Sequence, residues 1–451
     1  MPGLGGRSWW LVVAVVLAVG GLSGCVWHFA DQGTEIHAGT PLALPMVADA
    51  AGEGVVQLTL AAPGTAWVST TATSVVVDAT LDAGPSQSFV LYAGAAAHTY
   101  SGFTGAISAG VHTLTIAVRG DLSSPANPNA SVLLRQAQLD VVTPNDPGYV
   151  ALAHAPVVYG RSVNAHSDTP LLAFAAQQSL GGGAVKLSYT QFWSNEDAGT
   201  GAIPFLLWSE FGRTTDIESS IDLTLDAQGA VTAATYQTCA QCPPNYPENT
   251  VGLDHSFLPF TGQYFAGTHP ILRVATGNNV FSEVGTTPFR FQPTLAPPPA
   301  VGEVRESVMD PYPVAWQVMA DEMRREQATF STDPLNLAAG DARQYAIVDI
   351  DTAPVNASAV AVQVQLTGDP TWYASDENTG LKLYTGGHSR TAVKLPLDWH
   401  NRGITGLRLR LYPATQGVVP TITVNRIEML ELDGNYVVHT RAVPTPVIVT
   451  S

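Results

Sequence analysis

Asp216 and Glu218 stand two residues apart in Gly212-Arg213-Thr214-Thr215-Asp216-Ile217-Glu218, and on a strand that spacing puts both carboxylates on one face. Two like charges side by side cost free energy unless a cation, a proton or an arginine resolves them. The pair is a candidate metal or acid/base site, and Arg213 is placed to neutralise it as plain structure instead. Upstream, Tyr189-Thr190-Gln191-Phe192-Trp193-Ser194-Asn195-Glu196-Asp197 runs from a strand into a loop with three acid or amide groups in a row. Asp197, together with His269 further on, joins Asp216 and Glu218 as a prospective metal ligand, while Trp193, Asn195 and Glu196 are prospective ligand-binding residues. Carboxylate oxygens of this kind suit a hard divalent cation, calcium or magnesium.

Other polar residues have plainer readings. His154 and His269 sit at strand starts, where a histidine held by a backbone carbonyl is the commoner use. Asn278 and Asn279 follow Gly277 as a turn that tolerates positive φ. Asp349 with Asp351, Asp376 with Glu377, and Asp398-Trp399-His400 offer calcium or sugar contacts, or are simply solvated acids. A Gly-x-Ser-x-Gly elbow, a His-Glu-x-x-His, a Walker loop and a dinucleotide fingerprint are all absent from the sequence. A glycosidase needs none of these, because its two carboxylates have no local signature.

The elements that must hold these residues are almost entirely strands. In Gly110–Val118, Leu114, Ile116 and Val118 share one face and Thr113 and Thr115 the other, the period of a half-buried strand. Val360, Val362, Val364 and Leu366 repeat the pattern, as do Leu407, Leu409 and Leu411. One helix stands out: Asp310 is placed to cap it, Pro311 or Pro313 suits its first turn, and Trp316, Met319, Ala320 and Met323 fall on one face. The spacing predicts an all-β chain of two or three β-sandwich or jelly-roll-like units with one short helix between the second and third. Residues 1–24 read as a signal peptide, 25–50 as a tether, 51–145 as an N-terminal sandwich, 146–295 as a central β-rich domain, and 301–448 as the helix plus a C-terminal sandwich. Ala296-Pro297-Pro298-Pro299-Ala300 reads as a stiff spacer between the last two.

Composition removes whole classes of partner. The 451 residues carry a formal charge of −17 and only three lysines, Lys186, Lys382 and Lys394, so the clustered cations that nucleic acid requires are missing. The same acidity argues against electrostatic adhesion to anionic lipid.

At the N-terminus, Arg7 precedes the uncharged run Trp9–Val19, too short to span a bilayer, and small residues lead to Leu22-Ser23-Gly24-Cys25. This segment resembles the signal and lipobox of bacterial lipoproteins. The resemblance implies export and acylation of Cys25, hence a bilayer anchor in the cell envelope; Val26, in place of the Asp that retains such proteins at the inner membrane, implies the outer membrane or cell surface. The alternative is an ordinary cleaved signal with an incidental cysteine. Export bears on Cys239 and Cys242, since an oxidising compartment closes neighbouring thiols into a disulfide. A zinc site would recruit Asp254 and His255, and a redox role would want a helix start in a βαβ unit, which this proline-rich context lacks.

The heptad Gly212–Glu218 is similar to the Gly-His-Arg-His-Asp-Trp-Glu signature of necrosis-inducing-type proteins and their vacuolar-sorting-related β-sandwich relatives, matching its Gly, Asp and Glu. Tyr189–Trp193 and Thr268–Ala275 resemble strands that flank that signature. The resemblance implies a divalent-cation site engaging glycosylated lipid headgroups and carries over only Asp216 and Glu218; both signature histidines are replaced, by Arg213 and Thr215, and the Trp by Ile217. Three functions follow from the residues and the resemblances together. The chain is an anchored protein that binds a glycan or another envelope ligand, with Trp193, Trp208, Trp372 and Trp399 as stacking surfaces; or a metal-assisted, carbohydrate-active or other hydrolase using the central acids; or a purely structural envelope protein.

Overall fold

A computed structural model describes residues 24–29, 33–126, 130–196, 204–239, 255–283, 287–329, 340–376 and 387–450. Twenty-seven strands and three α-helices lie among them, so the chain is all-β in class and its units are sandwiches. In the first, one sheet runs Gly24–His28, Ser131–Val142, Gly52–Ala61, His98–Ile107, with Thr34–His37 also on Ser131–Val142. The facing sheet runs Leu42–Ala48, Gly110–Val118, Val76–Leu81, Gln87–Val90. Val56, Leu58 and Leu60 from one meet Met46, Leu114 and Ile116 from the other. The expected tether over 25–50 is corrected here: three of the strands come from it. Leu44, Met46 and Ala48 alternate with exposed neighbours, and that period of two marks a half-buried strand, not a solvated linker.

The central unit sets the antiparallel sheet Pro170–Gly181, Ala184–Trp193, Asp216–Leu225, Val231–Thr238, Ser256–Pro259 against a smaller sheet built on Val157–Tyr159 and His269–Val274. Leu187, Tyr189, Trp193, Ile221 and Leu223 fill the space between them with Val157, Leu272 and Val274. The other face of the large sheet, through Phe174, Phe192 and Ile217, packs on the helix Pro313–Thr329. That helix buries Trp316, Met319, Ala320 and Met323 as the spacing predicts, and shares its core with Tyr345, Ile347, Leu430 and Leu432 of the C-terminal sandwich. Asp310 is not its cap. It ends the short 3-10 turn Arg305–Met309 and accepts a bidentate pair of hydrogen bonds from the fully buried Arg390, at 2.9 and 2.8 Å, because a buried guanidinium needs anionic partners.

Two departures concern connections. The helix Pro204–Phe211 opens on a proline and is followed by Gly212 at φ 62, a start and a stop signal that the sequence reading passes over. The proline stretch is no free spacer: Ala296 N donates to Ala173 O at 2.7 Å, which pins the stretch to the central sheet. The three units are also tied through one side chain of the long helix. Glu322, wholly buried, accepts from Trp67 Nε1 of the first sandwich at 3.0 Å, from the Asp168 backbone N–H of the central unit at 2.9 Å, and from Arg325 at 2.9 Å. Among the described residues no helix is long and apolar enough to cross a membrane.

Candidate functional site

Strand alternation builds the site. Along Asp216–Leu225, Ile217 points to the long helix, so Asp216 and Glu218 point the other way, into the central sandwich. Trp193 is the register partner of Asp216 and Gln191 that of Glu218, which brings the Tyr189–Trp193 segment alongside the acidic pair. Gln237, on the next strand, donates through Nε2 to Glu218. Asn279 Nδ2 donates to Asp216 Oδ2 at 2.8 Å and to Asp168 Oδ1 at 2.9 Å. Asp168 in turn pairs with Arg161, both of them buried. Asp168 and Asn279 each adopt the left-handed region at φ 53, a conformation more costly than the helical or extended one and met here at two side chains bonded to each other.

The charges do not balance locally. Arg213 donates to Thr215 O and approaches Glu306 at 3.4 Å, while Arg305 donates to Ile217 O at 3.1 Å and to Glu306 at 3.1 Å. Glu306 gathers these cations: burial alone would raise its pKa, but Arg213, Arg305 and Arg390 together hold it below the usual carboxylate range. Asp216 and Glu218 receive neutral amides instead. Burial raises the pKa of Asp216 even with the Asn279 bond, and burial plus the neighbouring Asp216 raises Glu218 well above the usual range. Glu196 is pushed up to about 8 by burial and then by Asp216, with Arg213 offsetting only part. His255 Nε2 stands 3.9 Å from Glu218 Oε1 and is half exposed.

The donor set is suited to a hard cation. Beside the three carboxylates, Gln191 is buried with neither amide atom bonded, and Asn279 Oδ1 is buried without a partner among the described residues. Buried polar atoms left unbonded cost about 1–3 kcal/mol each, so they mark a place where a ligand atom is wanted. Among the described residues no three His, Cys, Asp or Glu side chains form a metal-holding group by themselves. A cation here would therefore draw on the amide oxygens as well.

Other expected site residues lie elsewhere. Asp197 and Cys242 are outside the described residues; Cys239 is buried and disulfide-bonded. His269 opens its strand while Asn279 follows the far end of it, and at ~3.3 Å per residue the six residues His269–Val274 hold those ends about 17 Å apart. His269 instead bonds Ala155 O at 2.9 Å, stacks on Phe103, and faces Glu53 of the first sandwich, so it is corrected from metal ligand to a histidine of the inter-unit contact. His154 likewise bonds a carbonyl, Val150 O. Trp193, Trp208 and Trp399 are wholly buried in cores and offer no stacking face. Asn195 donates to Glu326 of the long helix at 2.5 Å. Arg390 takes Asp349, and Arg410 takes Asp376, so those acids are ion-paired.

Asp168, Gln191, Gln237 and Asn279 are the site residues that the sequence reading did not assign. Gln191 alone carried a signal, since it lies in the same alternating strand as Trp193.

No family model and no curated protein matches this sequence. Among solved structures, the chain is similar to a ruminal GH26 endo-beta-1,4-mannanase, at 7% identity over 29% of this chain and 23% of that one, with a TM-score of 0.20. It is also similar to a family two carbohydrate esterase from Cellvibrio japonicus, at 16% identity over 32% of this chain and 42% of that one, with a TM-score of 0.16. The chain spans less than half the length of either, and likenesses this slight carry no argument about function.

Proposed function

We propose that this is an exported, lipid-anchored envelope protein whose central sandwich binds an oxygen-rich ligand, a glycan or another envelope component, at a divalent-cation site. The observation that carries the proposal is the imbalance at Glu196, Asp216 and Glu218: three neighbouring acids, raised in pKa, whose nearby guanidiniums are drawn off to Glu306. Asp216 and Glu218, with Gln191 Oε1 and Asn279 Oδ1 as neutral oxygens, would hold calcium or magnesium, and Glu196 would add negative charge nearby. When bound, such an ion supplies positive charge to hydroxyl or anionic oxygens. Asn279 orients Asp216 and Gln237 orients Glu218.

Calorimetric titration with calcium chloride and magnesium chloride tests this directly. Saturable heat with one of them, and a Tm lowered by chelator, are the expected results; a Tm indifferent to calcium, magnesium and chelator removes the site. The anchor is tested separately by Cys25→Ser, which should release the protein from membranes. Cys25 is 8% exposed and pairs with Leu139 on an edge strand, so a thioether lipid there requires the first residues of that strand to leave the sheet.

A hydrolase reading draws on one observation, Glu196 at about 8, the range suited to a general acid at neutral pH. Glu196→Gln that abolishes turnover of an envelope glycan while retaining its binding would favour that reading.

A further inference from the structure

Where the first sandwich, the central sheet and the start of the long helix meet, they enclose a recess of about 310 Å³. Its walls come from the strands Gln87–Val90 and His98–Ile107, from Thr169–Leu172, from Phe291–Ala296 and from Tyr312–Ala315. In a chain of net charge −17, none of the described residues lining it is Asp, Glu, Lys or Arg. His98 is the one imidazole among those described residues, and burial lowers its pKa to about 4, so it is neutral at neutral pH. Phosphates, carboxylates and ammonium groups would enter without a counter-charge, which excludes them as ligands.

The recess nevertheless asks for hydrogen bonds. Gln87 Oε1 and Thr169 Oγ1 are buried within its wall without partners among the described residues, in residues 3% and 0% exposed, so a turn of each side chain is needed to bring these atoms to the recess. Gln87 Oε1 lies over the Gly102 backbone, in the space a Cβ there would fill. Around these atoms stand aromatic faces: Tyr92 and Tyr100 at 5.2 Å between centroids, with His98 4.8 Å from Tyr100. Small-molecule sites begin at about 300 Å³, are mostly apolar and aromatic with a few fixed polar groups, and favour domain junctions. This recess meets each condition at the smallest size.

We propose that the junction recess binds an uncharged, hydroxyl-bearing ligand of single-ring size, of the monosaccharide class. With those two side chains turned toward the recess, a sugar hydroxyl would donate to Gln87 Oε1 and another would exchange a hydrogen bond with Thr169 Oγ1. The ring's C–H face would lie on Tyr92 or Tyr100. This site is independent of the cation site, and either can fail without the other.

The test uses the full chain with glucose, galactose, mannose and N-acetylglucosamine at millimolar concentration, and glucuronate and benzene as charged and apolar controls. At least one neutral sugar should give saturation-transfer signals and raise Tm by roughly 3 °C at ten times its Kd. Thr169→Val removes an unbonded hydroxyl at constant shape, so it should raise the Tm of the free protein while abolishing the sugar response. Gln87→Met should do the same if the first variant folds poorly. No response to any neutral sugar, a response that survives both variants, or binding of benzene in preference to sugars overturns the proposal.

Discussion

The acidic end of the central sandwich and the junction recess lie against each other in the chain, yet they are opposites. Asp168 bonds Asn279 and so belongs to the acidic network, while Thr169, the next residue, lines the recess. On one side Asp216 and Glu218 take neutral amides for partners, and the charge of Asp216 adds to burial in raising Glu196. On the other no described lining residue is Asp, Glu, Lys or Arg. Both leave buried polar atoms unbonded: Gln191 and Asn279 in the first, Gln87 and Thr169 in the second. The difference teaches that the charge around a buried, unbonded polar atom decides which kind of partner suits it.

The strongest way to break the comparison is at the anchor both sites share. Glu322 holds the Asp168 backbone N–H, Trp67 and Arg325. Glu322→Leu should destabilise the protein by about 3–5 kcal/mol, because Arg325 loses a buried ionic partner and two N–H groups lose their acceptor. Denaturant unfolding would measure that loss, and both the cation and the sugar responses should disappear with it. A variant that unfolds at the wild-type midpoint would mean the three units do not depend on this residue.

A smaller effect separates the two sites. Asp216→Asn keeps the shape of the side chain and removes a charge whose side-chain hydrogen-bond partner among the described residues, Asn279, is neutral. The stabilisation by calcium or magnesium, about 2.7 kcal/mol at a hundredfold excess over Kd, should vanish. The sugar response of the junction should be unchanged. Thermal melts of this variant with each ligand decide it, and loss of both responses together would show that the two sites are one.

How much of this was legible in the sequence depends on distance along the chain. The shared face of Asp216 and Glu218 follows from a period of two, and the long helix from a period near 3.6; both are local. The bulge between Ser219 and Ile221, which lets Asp216 and Ile221 face the same core from positions of opposite parity, has no marker in the residues themselves. Asn279 reads as a turn residue and is one, but its second role needs Asp168 and Asp216, 111 and 63 positions away. The tryptophans mislead for a different reason: a large aromatic side chain fills a core as readily as it stacks on a ligand, and only burial tells the two apart. The recess was invisible because it is walled by ordinary residues of three units that no local pattern brings together.

The finest distinction between the sites is their response to pH. At the acidic end protons compete with any cation for the carboxylates, and Glu196 already takes up its proton at about 8. Cation affinity should therefore weaken steadily as pH falls from 8, an effect that titration calorimetry at several pH values would follow. In the recess the titrating group is His98, faced by Tyr92 and Tyr100, whose phenols burial raises and so keeps neutral. Sugar affinity should stay flat from pH 8 down to about 5, since His98 gains its proton only near 4. Stability has its own sign here. The unfolded chain protonates this histidine at 6.5 and the folded chain near 4, so the unfolded state binds more protons between those values and stability is lost as pH falls through that window. His98→Gln should remove that part of the loss and leave stability above pH 7 nearly unchanged. Equal pH dependence of sugar and cation binding would contradict the separation, because it would place a titrating acid in a recess lined by none.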